Sequence, residues 1–219
     1  KGVTVEIIVI DDGGTDGTEW MVSNLPIPVQ YKWCKNKGPG AARNIGMQMA
    51  TGRYIKFLDS DDMLAEDALS SEVMMLDSTG ADISYGKWMY CDQNDEVKEE
   101  VHGQYEGDFF TFLLHGDWYA NFAFLFRADT LKKQSLYWDE DIFYIADFQY
   151  IFAVAATSPR FVFTPVCTGY YRKFSWHTCL SKSGPNRSAS YVKILKNQVM
   201  PPLTAYQDIL YNMKVRLLE

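Results

Sequence analysis

RYIKFLDSDDML, residues 53–64, begins as a strand and stops on acids. An apolar and aromatic run leads directly into Asp59, Asp61 and Asp62. VTVEIIVIDDGGTDGT (3–18) does the same upstream. Its nearly continuous β-branched run is expected to be buried on both faces, and it ends on Asp11-Asp12 and a turn cluster. Between the two lie a short helix over 18–25 stopped by Pro26 and Pro28, a strand over 29–34, and NKGPG (36–40), which opens a helix running to about Ala50. A helix follows over 66–76, with Ala68, Leu69, Val73 and Leu76 on one face, then a strand over 81–91. Strand and helix alternate throughout, which predicts an α/β fold with a mostly parallel sheet flanked by helices.

The second half is looser. Residues 92–104 read as a polar loop, 106–116 as a short helix and 121–127 as a strand, with Asp129 capping the helix after it. The stretch 142–157 is helical and almost wholly apolar, interrupted chiefly by Asp147 and Gln149, and 160–172 returns as a strand. The tail predicts helices over about 188–199 and 203–218, split by Pro201-Pro202. In the second, Leu203, Tyr206, Leu210, Met213 and Leu217 form a stripe that packs on the parent domain, seals a dimer or lies on a membrane surface.

With 219 residues and 47% apolar side chains, a sizeable core is expected and disorder is not. The 33 aromatic residues exceed what one core needs, so some are expected to line a cleft. No apolar run approaches the ~18–20 residues of a membrane span, and no signal peptide is visible. Lys1 followed at once by a strand implies a natural protein that starts further upstream. Cys34, Cys91, Cys167 and Cys179 are scattered without a C-x-x-C pair and read as free thiols in a reducing compartment. Residues 1–157 carry 12 basic and 26 acidic side chains, and residues 158–219 carry 9 and 2. The acidic body argues against nucleic acid as a partner. The basic tail either faces an anionic surface or balances the body.

In open α/β sheets, ligands bind beyond the carboxyl ends of strands. Acids gathered there repel a phosphate unless a divalent cation lies between, and Mg²⁺ or Mn²⁺ takes one or two carboxylates while leaving positions for diphosphate oxygens. Capping of the following helices accounts for Asp12 and Asp67, but not for acids at two strand ends. A dinucleotide fingerprint fails, because Asp11 and Asp12 precede Gly13-Gly14 and the glycine spacing is wrong. An EF-hand fails at Met63 and Leu64.

IIVIDDGGTDGT followed by NKGPGAARNIGMQMATGRYIKFLDSDDML resembles the nucleotide-sugar-binding half of the family 2 glycosyltransferases. The resemblance implies the Rossmann-like GT-A fold: a donor-binding half over 1–95, an acceptor-binding and catalytic half over 96–180, and a basic helical tail over 181–219. It implies sugar transfer from a nucleotide diphosphate, UDP foremost, to a saccharide or lipid-linked acceptor hydroxyl, with inversion and a Mn²⁺ or Mg²⁺ ion. By position, Asp11 matches the acid that contacts the donor base, supported by Asp12 and Gly13. Arg43 matches the basic residue near the nucleotide, and Asp59-Ser60-Asp61 matches the D-x-D motif. There Asp61 is the metal ligand, with Asp59 on the ribose or a metal-bound water. His177 could complete the metal shell. The family's base sits in a Glu-Asp pair; here Ala146-Asp147 keeps only the acid, which makes Asp147 the expected base. Gly14 stands where the family usually has Ser, and the family's first strand is not found. The implied setting is envelope polysaccharide or glycolipid assembly, cytoplasmic or peripheral on the inner membrane face. A nucleotidyltransferase and a non-catalytic nucleotide-sugar-binding module are the alternatives.

Overall fold

The computed structural model describes residues 2–173 except 93, 102–104, 106–108, 115–118 and 144. The expected tail helices, Trp118, His177 and Cys179 lie outside the described residues. Cys34, Cys91 and Cys167 are free thiols.

β1 (Ile8–Asp12) and β2 (Gln30–Cys34) pair in parallel, connected through α1 (Thr18–Ser23). α2 (Pro39–Met49) packs on β1. A second, six-stranded sheet contains β3 (Tyr54–Ile55), β4 (Met63–Leu64), β5 (Ile83–Cys91), β6 (Val97–Val101), β7 (Phe124–Arg127) and β8 (Phe161–Arg172). Its order is β3-β7-β5-β8-β4, with β6 added on β5. The helices are α3 (Ala68–Thr79), α4 (Phe109–Leu114), α5 (Ala128–Lys133) and α6 (Ala146–Ala155).

The α/β class holds, but the sheet is mixed rather than mostly parallel. β1–β2 and β5–β8 are parallel, whereas β7 runs against both β3 and β5, β4 against β8, and β6 against β5. The strand–helix alternation that implied parallel pairing ends at Cys91. β6 then folds straight back on β5 as a hairpin, with no helix to carry the chain across. The 92–104 segment was expected to be a loop because Val97–Val101 is charge-rich, and charge is tolerated on a strand lying at a sheet edge. β1 is only half-buried along its length, since β2 is its one partner among the described residues. β3 is shorter than RYIKFL predicts: its ladder with β7 stops at Ile55, paired with Phe126. Asp129 lies in the first turn of α5 rather than at its cap, which is Arg127.

The core holds most of the aromatic load. Trp88, Phe122, Phe124, Phe126, Tyr150 and Phe152 are fully buried. The apolar face of α6 inserts here, and Tyr150 stacks flat on Trp138 with ring centroids 4.1 Å apart. Tyr119 and Asn121 are also buried in this core.

Candidate active site

At the end of β1 the two acids take different tasks. Asp11 accepts hydrogen bonds from the Gly14 amide (2.6 Å) and the Tyr31 hydroxyl (2.7 Å), so both its oxygens are aimed. Its charge pushes the Tyr31 hydroxyl up to about 12, the hydrogen bond being the main cause. Gly13 has φ +87°, a backbone state that suits glycine, and a side chain there would meet Asn36. A Cβ at Gly14 would lie 2.7 Å from an Asp11 carboxylate oxygen. Asp12 accepts from the amides of Lys37 and Gly38, both at 2.8 Å. It thereby fixes the loop that opens α2.

α2 links this strand end to the second acid cluster. About five residues beyond Gly38, or ~7–8 Å along the helix, its Arg43 reaches Asp59 with Nη2 at 2.5 Å and Asp147 with Nη1 at 3.1 Å. The guanidinium also lies over the Trp138 ring, 4.4 Å from its centroid. Burial alone would lower the Arg43 pKa, but Asp147 and Asp59 more than offset it and the net shift is upward. Asn44 ties the same helix to the 136–143 loop: its Oδ1 accepts the Trp138 amide at 2.8 Å, and its Nδ2 donates to Trp138 O and Glu140 Oε1, each at 3.0 Å.

Asp147 stands in the first turn of α6, where the helix dipole favours an anion. Its side chain is 31% exposed, so it is ion-paired without being sealed. Burial pushes its carboxyl up to about 6; Arg43 opposes the shift, and Asp59 and Asp61 add to it. Asp61 and Ser60 are exposed. Asp62 accepts the Arg172 amide at the end of β8 (3.1 Å). Its carboxyl is pushed up to about 8, mainly by burial and also by Asp61, Asp59 and Asp147. Through its bond to the Arg172 amide, Asp62 ties the turn to β8.

The structure thus gathers Arg43, Asp59, Asp61 and Asp147 where α2, the 59–62 turn and the start of α6 meet, with Asp11 and Asp12 at the other end of the α2 link. Tyr31, Asn44, Trp138 and Arg172 were not foreseen as its supports. Trp138 is 95 residues from Arg43, and no spacing rule connects them.

The chain matches the family described as "Glycosyl transferase family 2" over residues 2–144. The chain belongs to glycosyl transferase family 2. This family 2 chain is 34% identical over 132 residues to an uncharacterized glycosyltransferase of Haemophilus influenzae, covering 58% of the chain and 52% of that relative. It is 42% identical over 86 residues to the succinoglycan biosynthesis protein ExoO of Rhizobium meliloti (38% and 25% covered). It is 33% identical over 88 residues to WfaP of Escherichia coli, named as a UDP-Glc:α-D-GlcNAc-diphosphoundecaprenol β-1,3-glucosyltransferase (38% and 34% covered). The fold matches Staphylococcus aureus TarS 1-349 in complex with UDP-GlcNAc at a TM-score of 0.70 and 19% identity, over 94% of this chain and 60% of that one. The family 2 chain thus spans about half the length of its Haemophilus relative. Among its described residues, no helix is long and apolar enough to cross a membrane.

Among those residues there is also no group of three His, Cys, Asp or Glu side chains that could hold a metal unaided. The family 2 chain instead offers two carboxylates, Asp59 and Asp61. That donor set suits an ion that completes its shell with diphosphate oxygens. The upward push that Asp59 and Asp61 exert on both Asp62 and Asp147 is the negative field such an ion would relieve.

Proposed function

We propose that this chain transfers a sugar from a UDP-sugar to a hydroxyl of a saccharide or lipid-linked acceptor, with inversion, in the assembly of an envelope polysaccharide or glycolipid. The observation that carries this reading is the single guanidinium joining Asp59, in the D-x-D turn, to Asp147, at the start of α6. It brings Asp59, to which this reading gives the donor side, and Asp147, to which it gives the base, to one point. The names of the relatives support the substrate class: ExoO is a succinoglycan biosynthesis protein, and WfaP is named for UDP-Glc and a diphosphoundecaprenol-linked sugar.

In this mechanism Asp11, aimed by Tyr31 and Gly14, receives the donor base. Asp12 and Gly13 hold the turn around it, and Ser60 and Asp59 meet the ribose side. Asp61, with Asp59, would hold a divalent ion, which when bound supplies positive charge against the diphosphate. Arg43 faces the same diphosphate and resists deprotonation at any working pH. The acceptor oxygen attacks the anomeric carbon. The bond from that carbon to the diphosphate oxygen breaks, its electron pair leaves on UDP, and Asp147 takes the hydroxyl proton. One displacement leaves no sugar bound covalently to the protein.

A base must be ionised to accept that proton. With its carboxyl raised to about 6, Asp147 becomes protonated as pH falls through that value. UDP release from UDP-Glc or UDP-GlcNAc, measured with saccharide acceptors between about pH 5 and pH 8, is expected to give a kcat/KM that drops roughly tenfold per pH unit on the acid side. A pH-independent kcat/KM would remove Asp147 from the role. The absence of acceptor-dependent UDP release with any donor would remove the transferase reading itself.

A further inference from the structure

We propose that the buried Lys56–Glu72 ion pair is a positioning device that sets the place of the Asp59–Asp62 turn. Lys56 Nζ lies 2.8 and 2.7 Å from the two Glu72 oxygens and 3.4 Å from the Phe124 carbonyl, so three acceptors face its three N–H groups. The side chains are 6% and 0% exposed. Stability does not call for such a pair. Taking two charges out of water costs several kcal/mol per ion, and apolar replacements of similar volume are often neutral or better. The helix around Glu72 is apolar where it is buried: Ala68 and Leu76, one turn to either side on α3, are fully buried.

Its location supplies the reason. The β3–β7 ladder ends at Ile55. Lys56 is the next residue, and Asp59 follows three later, within ~10 Å of chain. Among the described residues, no strand pairs with the backbone from Lys56 to Asp62 before β4 begins at Met63. The Phe57 ring packs edge-on against Phe126, Trp138 and Tyr150, but apolar contact is non-directional and allows sliding. The ammonium is directional. It ties the chain to α3 through Glu72 and to β7 through Phe124 O, just past the last ladder pair. The downstream end is held by Asp62, through its amide to Asp59 O (3.1 Å) and its carboxyl to the Arg172 amide. The donor-side carboxylates thus sit on a short span pinned at both ends, and Lys56 is the upstream pin. The functional meaning of that pin rests on the reading of Asp59 and Asp61 as donor-side groups.

The test compares Lys56→Met, Glu72→Leu and the two combined in the intact protein. Each single change strands a buried charge and is expected to lower the melting temperature. The combined variant is expected to melt at or near the wild-type temperature. Its amides at 58–62 should nonetheless exchange hydrogen on the order of tenfold faster, with the β5–β8 core unchanged, and its affinity for UDP with Mn²⁺ should fall about 10–100-fold, as losses of supporting groups typically do. Glu72→Gln, which keeps one acceptor for Lys56, serves if the combined variant does not fold; it should show the same local loosening to a smaller degree. Unchanged exchange at 58–62 in a folded variant overturns the positioning role. Absence of UDP binding by the wild type instead overturns the donor-site reading, while exchange still decides whether the pair pins the turn.

Discussion

Replacing Asp147 by Asn is expected to cut sugar transfer by about 10²–10⁴, the usual loss for a general base, while leaving UDP affinity within about twofold. Asn keeps the size of the side chain and can still accept from Arg43, but it cannot take a proton. Stability should not suffer. A carboxyl whose folded pKa is raised contributes most to stability when protonated, and that contribution declines as pH climbs from the ordinary carboxylate range through about 6. Near neutral pH the wild type therefore carries an anion its fold disfavours, and the Asn variant should melt no lower. A slow but fully stable protein is the signature of a functional carboxylate placed at a cost to the fold. Melting curves, UDP titration and UDP-release rates on one preparation decide this. Transfer within a few-fold of wild type moves the search to Asp139, Glu140 and Asp141; Glu140 accepts from Asn44 and Asp139 from the Asp141 amide.

Arg43→Met should damage both halves of the site. The guanidinium is buried, with 13% of its side chain exposed, and it holds Asp59 and Asp147 together. Its removal leaves two carboxylates facing each other with no cation between them. Asp147 then loses the cation that opposes its upward shift, so a larger fraction is protonated near neutral pH. Because the partners are about one-third exposed, the stability loss should fall between the exposed-pair and buried-pair ranges, about 1–3 kcal/mol. Transfer should fall below about one per cent of wild type, and the pH profile of any residual activity should move to higher pH. Arg43→Lys should recover part of the stability but little of the activity, because a single ammonium cannot reach two carboxylates as a planar fork does. A Met variant with an unshifted profile and near-normal rate would contradict the bridge.

The legible part of the site was local in sequence. Two runs that end abruptly on acids located both acid clusters, although only β1 carries its strand to the acids and β3 stops at Ile55, and the GAARN segment revealed the helix between them. The bridge from Arg43 to Asp147 was not legible, because it spans 104 residues and depends on how α6 packs against α2. The apolar stretch 142–157 showed a helix with an isolated acid, which was enough to single out Asp147 but not to find its partner. The fold was legible where strand and helix alternated. It was misread where charge hid β6 and where the hairpin after β5 turned the sheet mixed. RYIKFL reads as a full buried strand, but its ladder stops at Ile55, and the Lys56 side chain is the buried anchor that follows the last ladder pair.

The central claim is that UDP binds at the carboxylate-lined turn through a divalent ion. Calorimetric titration of UDP into the wild type with Mn²⁺, into the wild type with EDTA, and into Asp61→Ala with Mn²⁺ tests it most directly. Saturable binding in the first case alone is the predicted result. Equal affinity in all three, or no binding to the wild type, would contradict it.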